Sequence, residues 1–362
     1  MTLTNVLDYI EWRGDLSVSA VPFGEVDYLI LSILIYARLE EVQERVGKTI
    51  RELEPMVYQK PKKEYNTYDT ERKELWKAAA KTERFGTMVL DYFTEDFSPE
   101  TEEQFAAAVF TTGDMGHLVF RGTDGTVTGW KEDINMAFED EIPSQKDAVK
   151  LLESMAGYYQ RISVSGHSKG GFLAVWSAFG ANEEVFSKVD SVWSFDGPGL
   201  QEKYTALPRW DELAKKTHAY IPVSSVVGMI YTSMANPVIV KSKSMGILQH
   251  DAFNWHVKGN QLLRNEDTTL SSKFTDMTIK TFFEGCTAEE RKTVVNTIYS
   301  IIEICGEEEV ASLPEASIRN LPRIIAAMRD IPEESRKVIW ELAGVLRESG
   351  KTSIKRLWTK EK

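Results

Sequence analysis

From Val26 to Leu39 apolar residues run almost without a break. A helix with one wet face would show more polar positions, so the pattern predicts a helix buried on most sides. Past Glu40 the character reverses. Glu41 to Lys73 is dense in Lys and Glu and reads as a solvated insertion, with Lys60-Pro61-Lys62-Lys63 as a loop. Helical spacing returns from Glu74 to Tyr92. Phe105 to Phe110 and His117 to Phe120 then read as two strands of a hairpin joined at Thr112-Gly113-Asp114. An amphipathic stretch runs on to Leu152, and its portion from Thr126 to Phe138 fits either a lid or a packing helix. A strand at Arg161 to Ser165, a helix from Phe172, and strands at Ser191 to Phe195 and His218 to Val223 follow. Pro237 and Lys241 leave room for one further short strand at Val238 to Val240, where the sheet is expected to end.

Strands that alternate with helices predict an α/β fold, a mostly parallel sheet flanked by helices on both faces. Beyond Ser271 the pattern turns helical. Thr287 and Glu290 form a capping box, and Val294, Val295, Ile298, Ile301, Ile302 and Cys305 share one helical face before Gly306 stops it. Two more helices are expected at Ile318 to Arg329 and Pro332 to Glu348. The expected organisation is a core over residues 1–270, including an N-terminal helical segment 1–95, and a helical C-terminal extension over 271–362.

With 362 residues, 42% of them hydrophobic, the chain can bury a substantial core. A formal charge of −12 argues against nucleic acid as a partner and against nonspecific attraction to anionic membranes. The longest apolar run, Tyr28 to Ala37, is about half the ~20 residues a spanning helix needs, so no stable membrane insertion is expected. Cys286 and Cys305 stand in no metal-binding spacing and read as packing residues, so neither a metal nor an organic cofactor is implied. The first residues lack the basic start and apolar stretch of a secretory signal, and a cytoplasmic protein is the expectation.

Against this background one short segment carries chemistry. The strand ending in Val164-Ser165 runs into Gly166-His167-Ser168-Lys169-Gly170-Gly171, and a helix follows. A Gly-x-Ser-x-Gly string alone arises by chance in roughly one chain in ten of this length. Between a strand and a helix, however, it can hold the Ser168 hydroxyl on an exposed, strained corner as a nucleophile. A serine hydroxyl needs a base, an acid to orient that base, and donors for the oxyanion. His167 is expected to point away from the elbow, His218 lies in a strand, and His117 comes early in the chain. His250, in a loop about 80 residues after Ser168, is the favoured base, with His256 as the second candidate. For the acid, Asp196 stands at the end of the first strand after the elbow, where a turn-forming aspartate before Gly197-Pro198 is the alternative. Asp251, adjacent to His250, is poorly placed to accept from its ring. Oxyanion donors are expected from the backbone of Lys169 and from Thr123, after Arg121-Gly122.

Phe120-Arg121-Gly122-Thr123, Trp130 with Asp133, the Gly166 to Gly171 elbow and Ser194-Phe195-Asp196-Gly197-Pro198 together resemble the ordered motifs of class 3 (fungal-type) lipases. Asp8-Tyr9-Ile10-Glu11-Trp12-Arg13-Gly14-Asp15 and Gln249-His250-Asp251 resemble, more closely, a bacterial family of lipase-like α/β-hydrolases. The resemblance spans roughly residues 1 to 270. It implies an α/β-hydrolase fold and hydrolysis of a small-molecule acyl ester or lipid through an acyl-enzyme on Ser168, with His250 and Thr123 matching family positions. Class 3 lipases carry an aspartate after the later strand, where this chain has Ser224 and Ser225. Either Asp196 serves as the acid or the triad is incomplete. The competing reading keeps the fold without the reaction, as a binding or scaffold protein whose C-terminal region contacts a partner.

Overall fold

The computed structural model describes residues 4–58, 67–124, 126–136, 139, 141–225, 227–229, 236–244 and 246–266, together with 297, 299, 300, 304, 319, 320, 322–324, 333 and 336. The Lys60-Pro61-Lys62-Lys63 loop, both cysteines and nearly all of the three helices expected after Ser271 lie outside the described residues. The chain divides into two compact units. One comprises Met1–Phe97, Phe105–Gly122 and Pro143–Ser272; the other comprises Ser98–Gln104, Thr123–Ile142 and Lys273–Lys362.

Among the described residues, eight strands form one sheet in chain order: β1 (Lys48–Thr49), β2 (Val89–Ser98), β3 (Glu103–Thr112), β4 (Met115–Phe120), β5 (Arg161–His167), β6 (Val189–Phe195), β7 (Thr217–Pro222) and β8 (Val238–Val240). β3 and β4 form the expected antiparallel hairpin, turning at Gly113 with φ +62°, a conformation glycine adopts without strain. From β4 to β8 every pairing is parallel. β8 is three residues long, as its flanking Pro237 and Lys241 require. This is the mostly parallel, helix-flanked sheet that the alternation of strands and helices predicts.

The helix Glu25–Leu34 buries all ten of its residues, as its continuous apolar run predicts. It ends earlier than Leu39 because the amides of Tyr36 and Ala37 turn back to the carbonyls of Ile33 and Leu34, three residues behind. Burial nonetheless continues through Leu39. Its start is anchored by Asp27, which accepts from Gly24 N at 2.9 Å, from the Tyr9 hydroxyl at 2.9 Å and from the Arg84 guanidinium at 2.6 and 2.7 Å. Arg84 Nη1 donates to the carbonyls of Leu16 and Val21, and Nη2, besides Asp27, donates to that of Pro22, so this buried ion pair keeps its hydrogen bonds satisfied.

Side-chain alternation along β6 separates the two faces of the sheet. Trp193 stacks on Tyr28 of the buried helix at 4.4 Å and on His218 at 4.1 Å. Ser194 points the other way, towards the helix Lys169–Gly180, where a Cβ on Gly171 would come within 2.7 Å of its hydroxyl.

Two sequence expectations are corrected. Helical spacing does not extend to Tyr92: helices end at Ala80 and Gly86, and Val89–Ser98 is a strand. Nor is Glu41 to Lys73 a plain solvated insertion. Within it β1 pairs antiparallel with β2, and Ile50, Leu53, Val57 and Tyr58 are buried.

In the second unit, the helix Val127–Met136 falls within the Thr126 to Phe138 portion of the amphipathic stretch; the rest of the stretch, in the first unit, forms the helix Pro143–Met155. Buried Glu132 accepts from the backbone N–H of Gln104 at 3.0 Å, Asn135 donates to Glu102 at 2.7 Å, and the Tyr299 hydroxyl donates to the Lys131 carbonyl at 2.9 Å. Among the described residues, no helix is long and apolar enough to cross a membrane.

Candidate active site

Parallel pairing brings the candidate residues to one end of the sheet. His167 pairs with Phe195 and Phe195 with Tyr220, so Ser168 and Asp196 each follow the last paired residue of β5 and β6. Their amides extend the ladder: Ser168 N donates to Phe195 O at 2.9 Å and Asp196 N to Tyr220 O at 2.8 Å. Both residues therefore emerge at the carboxyl ends of adjacent strands, where open α/β sheets bind ligands.

The elbow turns as the glycine spacing requires. Ser168 has φ +59° and ψ −131°, outside the regions an L-residue prefers, at a cost on the order of 1–3 kcal/mol. Gly166 and Gly170 let the helix Lys169–Gly180 fold back over β5. A Cβ on Gly166 would overlap the Gly170 carbonyl, and one on Gly170 would overlap the Phe120 carbonyl and lie 3.0 Å from the Arg121 carbonyl carbon. Since the obstructing atoms are backbone, Gly170→Ala is expected to destabilise the fold by roughly 3 kcal/mol, measured as a lowered urea midpoint at unchanged slope.

His250 closes the short turn Gly246–His250, after β8. Its Nε2 lies 2.9 Å from Ser168 Oγ and its Nδ1 2.6 Å from Asp196 Oδ2. Ser168, His250 and Asp196 are thus brought into one hydrogen-bonded line. Asp196 and Ser168 are both buried, while the His250 side chain keeps 26% of its surface exposed. Neighbouring Gln249 holds the turn in place: its side chain accepts from Ser224 N at 2.9 Å and donates to Ser244 O at 2.8 Å, and its carbonyl accepts from Trp255 Nε1 at 2.7 Å. Asp251 accepts from Phe253 N at 3.1 Å and caps the next turn.

Three of the other four histidines, His256, His218 and His117, have partners outside this line. His256 is buried, with its backbone bonded to Lys241 and Leu263. His218 stacks on Trp193. His117 has one ring nitrogen 2.8 Å from the Thr112 hydroxyl and the other 2.8 Å from the Ser163 hydroxyl, beneath Phe23 and Tyr28. Burial pushes its pKa down to about 3. Because the unfolded chain binds this proton near pH 6.5 and the folded chain only near 3, its contribution to stability is complete above about pH 6.5 and is lost as pH falls towards 3. The slope is roughly 1.4 kcal/mol per pH unit. His117→Gln is expected to flatten the fall in unfolding free energy over that window, as read by urea melts at a series of pH values.

His167 is more closely involved than the sequence indicated. Its Nε2 lies 2.7 Å from the His250 carbonyl, which can only accept, so Nε2 carries the proton and Nδ1 faces the Tyr36 hydroxyl at 3.4 Å. Burial, and then the neighbouring His250, hold its pKa well below the usual range. His167 therefore clamps the main chain of His250 without adding a charge beside it. Tyr36, at the end of the buried helix run, carried no local signal of this role.

Arg121-Gly122 closes around the same turn. A Cβ on Gly122 would lie 2.5 Å from the His167 carbonyl oxygen and 3.1 Å from Ser168 Cβ, so the loop passes directly against the elbow. Buried Arg121 pairs with Glu95 of β2. In the second unit the Thr123 hydroxyl donates to Asp133 at 2.7 and 2.9 Å. Lys169 is the first residue of its helix, with its side chain buried. Helix amino-terminal N–H groups are ready donors to an anion.

Among solved structures the chain is similar to the Rhizomucor miehei lipase propeptide complex, with 13% identity over 43% of this chain and 57% of that one and a TM-score of 0.28. It is also similar to M37 lipase, with 15% identity over 57% of this chain and 68% of that one and a TM-score of 0.34. The match thus spans little more than half the length of the Rhizomucor miehei protein. No curated protein matches the chain in sequence. The Mbeg1-like family model matches residues 79–300, more than half of the chain and the whole Ser168–His250–Asp196 constellation, and the protein belongs to that family.

Proposed function

We propose that the protein is a serine hydrolase that cleaves carboxylic esters of small acyl compounds or lipids through an acyl-enzyme on Ser168. The observation that supports this most is the continuous relay from Ser168 Oγ to His250 Nε2 at 2.9 Å and from His250 Nδ1 to Asp196 Oδ2 at 2.6 Å. His250 removes the proton as Ser168 Oγ attacks the ester carbonyl, and buried Asp196 stabilises the imidazolium that forms. The tetrahedral oxyanion takes a hydrogen bond from the backbone N–H of Lys169, the first residue of its helix. Collapse breaks the bond to the leaving alcohol, which departs with the proton from His250. Water, deprotonated by His250, then releases the acid and restores Ser168.

The test is reaction with a fluorophosphonate probe between about pH 7 and 9. Ser168-dependent labelling, with hydrolysis of p-nitrophenyl butyrate, is the expected result. Absence of labelling across that range would leave an inactive α/β-hydrolase fold serving as a binding or scaffold protein.

A further inference from the structure

We infer that Ser225 is a positioning residue that sets the orientation of the Asp196 carboxylate, an inference that rests on the reading of Ser168, His250 and Asp196 as a catalytic triad. Asp196 is buried and held at φ +51°, so its carboxylate depends on neighbouring donors. Oδ2 meets His250. Oδ1 accepts from the Ser225 hydroxyl at 2.6 Å and from the backbone N–H of Gly228 at 3.2 Å. Gly228 N also lies 3.0 Å from Ser225 Oγ, and an amide can only donate, so the serine oxygen accepts there and its own proton points to Asp196.

The result is a directed chain from amide to hydroxyl to carboxylate. It distinguishes the two carboxylate oxygens, which a rotation about the last side-chain bond would otherwise exchange or swing out of the His250 plane. Ser225 itself is buried and fixed by the turn after β7, where its N–H donates to Pro222 O at 3.0 Å. The preceding residue, Ser224, holds Gln249 beside His250. A single turn therefore holds both the acid and the loop that carries the base.

The experiment compares wild type, Ser225→Ala and Ser225→Thr in steady-state hydrolysis of p-nitrophenyl butyrate, fluorophosphonate labelling rate and thermal melting. Ser225→Ala should lower kcat about tenfold, the scale expected when a charge-assisted hydrogen bond is lost, with KM changed less than about twofold. The labelling rate should fall in parallel, and Ser225→Thr, which restores a hydroxyl, should recover most of both rates. Unchanged kcat in Ser225→Ala would overturn the inference while leaving the triad intact. So would equal losses in Ala and Thr variants that track a lowered melting temperature, since that is the mark of packing alone. If wild type shows no Ser168-dependent labelling, it is the triad reading that fails.

Discussion

Ser168→Ala is expected to lower ester turnover by about 10⁶-fold and to abolish fluorophosphonate labelling, because the proposed mechanism makes Ser168 the nucleophile. The loss should be confined to chemistry. Ser168 Oγ bonds to His250, which keeps its second anchor at Asp196. Alanine also retains the Ser168 backbone at φ +59°, so the elbow remains as strained as before. Melting temperature should therefore stay close to that of wild type. Ser168→Gly provides the control on strain: glycine adopts this conformation freely, and the variant should be inactive yet more stable by about 1 kcal/mol. An inactive but stabilised glycine variant would indicate that the corner is kept strained for the position it gives the hydroxyl.

Asp196→Asn is expected to lower kcat by about 10³ to 10⁴, with the fold intact. The hydrogen-bond directions dictate why. Gly228 N–H can only donate to the position of Oδ1, so an asparagine must place its carbonyl oxygen there and its NH₂ group towards His250. The imidazole is then forced to accept at Nδ1 and to carry its proton on Nε2. That nitrogen faces Ser168, and in this tautomer it cannot act as a base. The measurement is kcat for p-nitrophenyl butyrate beside a urea melt. A variant of wild-type turnover would remove Asp196 from the mechanism.

Much of the site is written locally. The spacing of Gly166, Ser168 and Gly170 between a strand and a helix is legible because steric exclusion at a turn acts over a few residues, and the glycine contacts carry this out. The alternation of strands and helices beyond Phe105 is legible for the same reason. The stretch after Val89 is not. Apolar residues at Val89, Leu90, Tyr92 and Phe93 satisfy helical spacing as well as strand burial, and the choice falls to pairing with β1 and β3, a contact the local pattern does not contain. Likewise the charges of Glu41 to Lys73 outnumber the few apolar residues, such as Ile50 and Leu53, that the fold buries.

The chemistry divides along the same line. The neighbours of Ser168 single it out as a candidate nucleophile, and chain order favours His250 as the candidate base. The sequence leaves Asp196 and an incomplete triad as alternatives, because a carboxylate before Gly197-Pro198 reads equally well as a turn residue. Folding brings His250 within hydrogen-bond distance of both Ser168, 82 residues away, and Asp196, 54 residues away. Ser225, His167 and Tyr36 gave no signal of their own, since a hydroxyl or an imidazole gains its function from what it faces. Residue spacing governs a turn because a turn is short. The hydrogen-bonded surroundings of Asp196 depend on the register of β5, β6 and β7, which is set only when the sheet assembles.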